Sequence, residues 1–408
     1  MEVRPILSTL FRNKTAPLLI AAQVALTLAI VANALYIIQE RLAAAARPSG
    51  ADEANIARIE LSPIGDMADP KSIQEVDLQT LRAIPGVVSA TWANQIPLGQ
   101  SGWNSGGLSL KEDNENASLS GAHYFSPGSL IDAYGLKLIA GRDFTQDDVF
   151  DHDPDSGNAA PKFVIITKAL ADALQPGITN YNELLGKPMY GVAEEPAQII
   201  GVIERLQTPW ANAGAEGEQS YILPIRYLTG AFQYAIRSEP GQLEPVLKAA
   251  SEALSKLRSD RVLNSQRTFA EIRESRYANE MLMAGLLIAV TLFLLLITAS
   301  GIVGLASLWV NQRRKQIGVR RALGARKIDV IRYFLVENVL ITTGGALFGL
   351  VLALSLNQVL VRQMEIPRLP LSYVGIGMAI MWVLGLLAVL GPALRAAKVP
   401  PAVATRTI

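Results

Sequence analysis

The chain contains no cysteine, which excludes disulfides, thioether haem attachment, iron–sulfur ligation and a thiol nucleophile. Its two histidines, His123 and His152, have no ligand partner at a useful spacing, so zinc chemistry has no support. No GxxxxGK followed by Ser or Thr occurs. Gly186-Lys187-Pro188 lacks both the preceding glycine spacing and the hydroxyl, so the backbone cradle for nucleotide phosphates is missing and P-loop ATP hydrolysis is excluded. A GxSxG elbow is absent too, because the closest stretch ends in Trp103 rather than glycine, and no base is identifiable for a hydrolase nucleophile. Asp151, Asp153 and Asp155 open like a calcium loop, but Ser156 and Lys162 stand where that loop needs glycine and glutamate. The stretch reads as a solvated acidic loop.

Asp, Glu, Lys, Arg and His are missing from four long stretches: residues 15–39, 281–312, 338–361 and 369–394. Each exceeds the roughly 20 residues a helix needs to cross about 30 Å of hydrocarbon. The first has a rival reading as a signal peptide, with Arg4, Arg12 and Lys14 before it and Ala44-Ala45-Ala46 after it. Its apolar run is about 22 residues, beyond the roughly 7–15 of a signal h-region, so an uncleaved anchor is expected.

What the chain has instead is a separation of charge. Residues 1–14 carry net +2, residues 311–335 net +7 and residues 395–408 net +3, whereas residues 40–280 hold 21 basic and 32 acidic side chains, net −11. Short basic segments stay cytoplasmic. The expected fold is an α-helical membrane protein with four transmembrane helices and a large mixed α/β periplasmic domain between helices 1 and 2. In order these are a cytoplasmic N-terminus 1–14, span 15–39, the exterior domain with stalk helices at both ends 40–280, and span 281–310. A cytoplasmic loop 311–335, span 336–361, a short exterior turn 362–368, span 369–394 and a cytoplasmic C-terminus 395–408 follow. Both termini are expected inside a bacterial inner membrane.

Within the exterior region, residues 160–166, 198–203 and 233–237 are β-rich and predict strands. Residues 167–174 predict a short helix capped by Thr167, residues 243–257 have helical apolar spacing, and residues 75–84 predict a helix stopped by Pro85-Gly86. The turn-rich stretch 99–107 and the acidic stretch 143–157 predict loops between two lobes. Residues 40–46 and 269–280 continue the adjoining spans in helix formers.

Small residues recur in the spans: Ala21, Ala25 and Ala29 at i, i+4, i+8, and Gly345 with Gly349 as a GxxxG. Such faces suit close helix packing in lipid. No charge lies mid-span to mark an ion or proton path. The basic loop alternates cations with apolar residues. Ile317, Arg320, Arg321 and Leu323 can share helical faces, Gly324 can stop the helix, and Ile328, Ile331 and Leu335 begin the next face. Such an element can dock on a soluble partner or lie on anionic lipid.

The run from Gln312 to Leu354 resembles the signature segment of the MacB/FtsX-like permease family of ABC transporters. Ile317, Gly318, Arg320, Arg321, Ala322, Leu323, Gly324 and Ala325 match its core, and Glu337, Gly344, Gly345 and Gly349 the helix after it. Pro392, Arg395, Ala396, Ala397 and Pro400 resemble the family's ending. Four exterior segments, YGLKLIAGRDFT, VIITKALADAL, LLGKPM and IIGVI, are similar to its periplasmic core in order.

The resemblance implies a dimeric permease, as homodimer or heterodimer, paired with cytoplasmic ABC ATPase subunits that hold the ATP and magnesium. The chain itself would bind no cofactor and catalyse no reaction. Arg313, Arg314, Lys315, Gln316, Ile317, Gly318, Arg320, Arg321, Leu323, Gly324 and Arg326 would form the coupling helix seated on the ATPase. Motion would reach the periplasm through the stalks, a scheme called mechanotransmission. A separate ATPase is expected, since full-length MacB carries its ATPase at the N-terminus and only 14 residues precede the first span here. Gln316 stands where the family usually has glutamate; half of a heterodimer and simple drift both fit. Export with an adaptor and outer-membrane channel is the expected role, with lipoprotein extraction and regulation of a periplasmic partner as alternatives. Membrane lipid is an expected partner and nucleic acid is not.

Overall fold

The computed structural model describes residues 15–65, 69–112, 118–153, 160–212, 214–228, 231–364 and 368–400. It divides into two compact units, Met1–Ala45 with Asn279–Ile408, and Ala46–Ala278. Helix α1 (Thr15–Ala46) comes first. The α/β unit then runs β1 (Ile56–Pro63), α2 (Pro70–Arg82), β2 (Val87–Trp92), β3 (Asn104–Ser105), β4 (Gly121–Phe125), α3 (Leu130–Tyr134) and β5 (Leu138–Gly141). It continues with β6 (Phe150–His152), β7 (Phe163–Thr167), α4 (Lys168–Leu174), β8 (Pro188–Met189), β9 (Ala197–Ile203) and β10 (Ser220–Leu223). The last of this series are β11 (Ile225–Tyr227), β12 (Phe232–Ser238), α5 (Leu243–Leu257) and β13 (Arg261–Thr268). Helices α6 (Phe269–Gln312), α7 (Arg314–Ala322), α8 (Lys327–Met364) and α9 (Leu371–Ala397) follow.

One sheet of the α/β unit has the order β13-β1-β12-β2 and is antiparallel throughout. Strand β1 alternates as its sequence requires, with Ala57, Ile59 and Leu61 inward and Arg58 and Glu60 turned to the other face. A mixed sheet has the order β3-β4-β10-β7-β9-β5, with β8 paired to β9. A parallel ribbon joins β11 to β6. One apolar core joins residues of both sheets, including Ile59, Trp92 and Tyr234 from the first and Val164, Ile199 and Tyr221 from the second.

Strands β7, β9 and β12 lie where the β-rich stretches place them and helix α5 where apolar spacing does, and Thr167 caps α4 by accepting from the Leu170 amide at 3.3 Å. Helix α2 begins earlier than its apolar pattern, because Pro70 fills its first turn and Asp69 accepts from the Ser72 amide at 3.1 Å. The two stretches expected as loops are corrected: 99–107 contains β3, and 143–157 contains a 3-10 turn, Gln146–Asp148, and β6. Strands of two or three residues are too short to show a period of two. Pro154, Asp155, Ser156 and Gly157 lie outside the described residues.

Among the described residues, four helices are long and apolar enough to cross a membrane: α1, α6, α8 and α9. The most apolar window of α1 is 56% buried, against 17% for α6, so α1 is the hub. A Cβ on Gly345 would lie 2.7 Å from the Ala21 carbonyl oxygen, and one on Gly349 3.0 Å from that of Ala25. The alanine stripe and the GxxxG are therefore two sides of one seam inside the chain. Ala29 is buried beside them. Polar links reinforce the hub. Thr27 and Thr298 hydroxyls meet at 2.8 Å, Asn33 donates to the Ala353 carbonyl at 3.1 Å, and the Tyr36 and Tyr373 rings lie 5.2 Å apart.

Candidate functional site

The basic segment folds as α7, an amphipathic helix of 9 residues. Gly324 stops it at φ +99°, a left-handed conformation that glycine adopts without strain. The Ala325 amide reaches back to the Arg320 carbonyl at 3.1 Å, which satisfies an end carbonyl of the helix. Helix α8 starts at once, and Asp329 accepts from the Arg326 amide at 2.9 Å.

Its side chains sort into two groups. Ile317 and Gly318 are buried, and Ile317 packs in a cluster with Val330 and Phe334. Arg313, at the α6–α7 junction, donates to both carboxylate oxygens of Glu337 at 2.9 and 3.1 Å and lies over the Trp309 ring. Arg321 donates to the Ala397 and Val399 carbonyls at 3.1 and 2.7 Å, closing the C-terminal end of α9. Arg320 lies over the Tyr333 ring at 5.1 Å. Gln316 borders a small cleft with Arg313, Arg320, Asp329 and Tyr333.

The outward group is Arg314, Lys315, Val319, Leu323 and Arg326. Leu323 is 82% exposed and Ile328 62%. Two expectations change accordingly. Leu323 and Ile328 leave the faces shared with Ile317 and Ile331; Leu323, six residues from Ile317, lies about a third of a turn away from it on a helix of 3.6 residues per turn. Arg313 and Arg321, expected at a partner surface, are held inside the membrane unit. Val319 is a residue the basic pattern alone does not single out; its i, i+4 spacing to Leu323 is the signal that places both on one face.

The α/β unit carries a second concave site. His123 and Phe125 project from the same face of β4, two residues apart, with rings stacked at 4.7 Å. Tyr227 of β11 and His152 of β6 are register partners whose rings lie 5.2 Å apart. Trp103 stands edge-on to His123, Phe125 and Tyr227, with centroids 5.3–5.9 Å away. These five rings, with Glu194 and Glu195, line a cleft of about 670 Å³. The His123 Nδ1 lies 3.0 Å from the Ser105 hydroxyl and 3.3 Å from that of Tyr221.

Burial pushes the His123 imidazole down to about 4. The unfolded chain takes this proton near pH 6.5 and the folded chain does not, so the stabilisation is complete above about 6.5 and is lost as pH falls towards 4. The expected loss approaches about 3 kcal/mol over that window. Acid titration of folding in detergent should therefore be flatter between pH 6.5 and 4.5 for His123→Gln than for the parent chain, and an unchanged slope would place the proton uptake elsewhere.

Two family models match the chain. The MacB-like periplasmic core domain covers residues 20–255, and the FtsX-like permease C-terminal region covers residues 288–401. The pyoverdine export ATP-binding/permease protein PvdT of Pseudomonas syringae pv. tomato is 28% identical over 225 residues, 51% of this chain and 33% of that protein. The macrolide export ATP-binding/permease protein MacB of Neisseria meningitidis serogroup A is 26% identical over 276 residues, 65% of this chain and 39% of that protein. The chain thus spans about a third to two fifths of the length of the curated relatives it matches. Among solved structures, the extracellular domain of the noncanonic ABC-type transporter YknZ from Gram-positive bacteria aligns with 51% of this chain and 100% of its own, at 18% identity and a TM-score of 0.32. With one family model over the α/β unit and another over the helices that follow it, this multi-pass membrane protein belongs to the MacB/FtsX-like permease family of ABC transporters.

Proposed function

We propose that the chain is the permease subunit of a mechanotransmission exporter, driven by a separate cytoplasmic ABC ATPase that seats on the outward face of α7. The observation that carries this reading is the division of labour in that helix. Arg313 and Arg321 fix it to α8 and α9, while Val319 and Leu323 stand exposed between Arg314, Lys315 and Arg326. Apolar side chains held rigidly in an otherwise charged surface favour a protein partner. ATP and magnesium belong to that partner. The net charge of each segment supports a cytoplasmic placement for α7 and both termini. Helix α6 runs unbroken from Phe269 in the α/β unit to Gln312 beside α7, whereas α1 ends at Ala46, at the start of that unit, so a push at α7 has one continuous rod to act on.

A second permease subunit completes the assembly in this reading. The small-residue seam is occupied within the chain, which leaves the apolar surface of α6, with Leu282, Leu286, Phe293 and Leu296 exposed, for lipid and for the second copy. A periplasmic adaptor and an outer-membrane channel would receive the motion outside.

Val319→Glu/Leu323→Glu should reduce recovery of a co-expressed ABC ATPase at least about tenfold, the loss expected for removing hot-spot contacts, with the variant still inserted and folded. Undiminished recovery would sink the coupling assignment and leave α7 as a topological anchor on lipid.

A further inference from the structure

We propose that the aromatic cleft of the α/β unit binds a small organic cation with a flat apolar body. This goes beyond the coupling reading and does not depend on it, since the site lies wholly within residues 46–278.

The cleft is built by topology. Alternation on β4 brings His123 and Phe125 to one face, and the β6–β11 register adds His152 and Tyr227. The chain before β3 supplies Trp103, whose carbonyl accepts from the His123 amide at 3.2 Å. His123, Phe125, Tyr227 and His152 then form a continuous stack, with successive centroids at 4.7, 6.2 and 5.2 Å. Core packing alone leaves Trp103 unexplained. It is 44% exposed at the mouth, where a large indole loses apolar burial that an occupant would restore.

Size and charge specify the occupant. A cleft of about 670 Å³ falls within the usual range for small-molecule sites, roughly 300–1,000 Å³. Aromatic faces present negative charge density and attract a cation held within about 6 Å of a ring centroid. Among the described residues the lining holds two carboxylates, Glu194 and Glu195, and no lysine or arginine. His123 is 9% exposed, and its Nε2 has no hydrogen-bond partner among the described residues. With its basicity lowered by burial, this ring stays neutral at pH 7 and adds no repulsion. An anion would meet an acidic lining, and a cation complements it.

Ethidium is a suitable probe, being a flat aromatic cation. Its binding to the full-length chain in detergent, followed by fluorescence anisotropy against empty micelles, should saturate at one site per chain. Trp103→Ala and the double variant Glu194→Gln/Glu195→Gln should each weaken it about tenfold, with the near-ultraviolet dichroism otherwise retained for the carboxylate variant. The flat anion 8-anilinonaphthalene-1-sulfonate should fail to displace it. Equal affinity in all three chains would place the dye in the micelle or the membrane helices and overturn the site. Displacement by the sulfonate at equal concentration would overturn the charge selection.

Discussion

Asp77→Ala lowers the stability of the α/β unit by about 3–5 kcal/mol, because it strands a buried guanidinium. Asp77 on α2 and Arg261 at the start of β13 have side chains that are 0% exposed. Arg261 Nη2 donates to Asp77 Oδ1 at 2.7 Å, and the Tyr234 hydroxyl of β12 donates to Asp77 Oδ2 at 2.6 Å. Arg261 also donates to the Leu254 carbonyl near the end of α5 at 3.2 Å and lies over the Phe232 ring. One carboxylate thus ties two helices to the antiparallel sheet. Burial and the Asp77 charge both push the Tyr234 phenol up, so it stays a donor across the accessible pH range. Amide exchange of β1 and β12 in the full-length chain should accelerate in Asp77→Ala. In Asp77→Leu/Arg261→Met it should accelerate much less, since no charge is left unpaired. Equal acceleration in both variants would show that packing, not the pair, carries the cost.

Arg313→Met is the counterpart in the membrane unit. Glu337 is 1% exposed in its side chain and takes both contacts from Arg313. Removing the arginine leaves an uncompensated buried carboxylate, again at about 3–5 kcal/mol, and frees the junction that orients α7. The thermal transition of the purified chain should drop by roughly 6–20 °C. Adding Glu337→Leu should recover most of it. Failure of the second substitution to rescue would mean that Arg313 acts through Trp309 or Tyr333 instead.

The spans were legible because an uncharged run of that length seldom forms anything but a membrane helix, β7, β9 and β12 because they are rich in β-formers, and α5 because its apolar residues keep a helical period. The aromatic cleft was not. Its rings are spread from Trp103 to Tyr227 and meet only through a parallel pairing of three-residue strands. The Asp77–Arg261 pair joins residues 184 apart, a distance at which no local pattern operates. For α7, amphipathy was readable, but which apolar residue turned inward depended on how the helix packs on α8. Ile317 went in and Leu323 out. The alanine stripe and the glycine pair were each visible, and their mutual contact was not.

The central place of α1 has a consequence for biogenesis. It is the first of these membrane helices to leave the ribosome, yet its Asn33 amide, which also donates to the Ala29 carbonyl one turn back at 2.9 Å, has its long-range acceptor at Ala353, 320 residues later. At about 5–20 residues per second, that carbonyl emerges roughly 16–64 s afterwards. Thr27 meets Thr298 when α6 emerges, but the small-residue face of α1 stays open until Gly345 and Gly349 arrive. The seam closes only when α8 arrives, so the packing of α1 is completed late in synthesis.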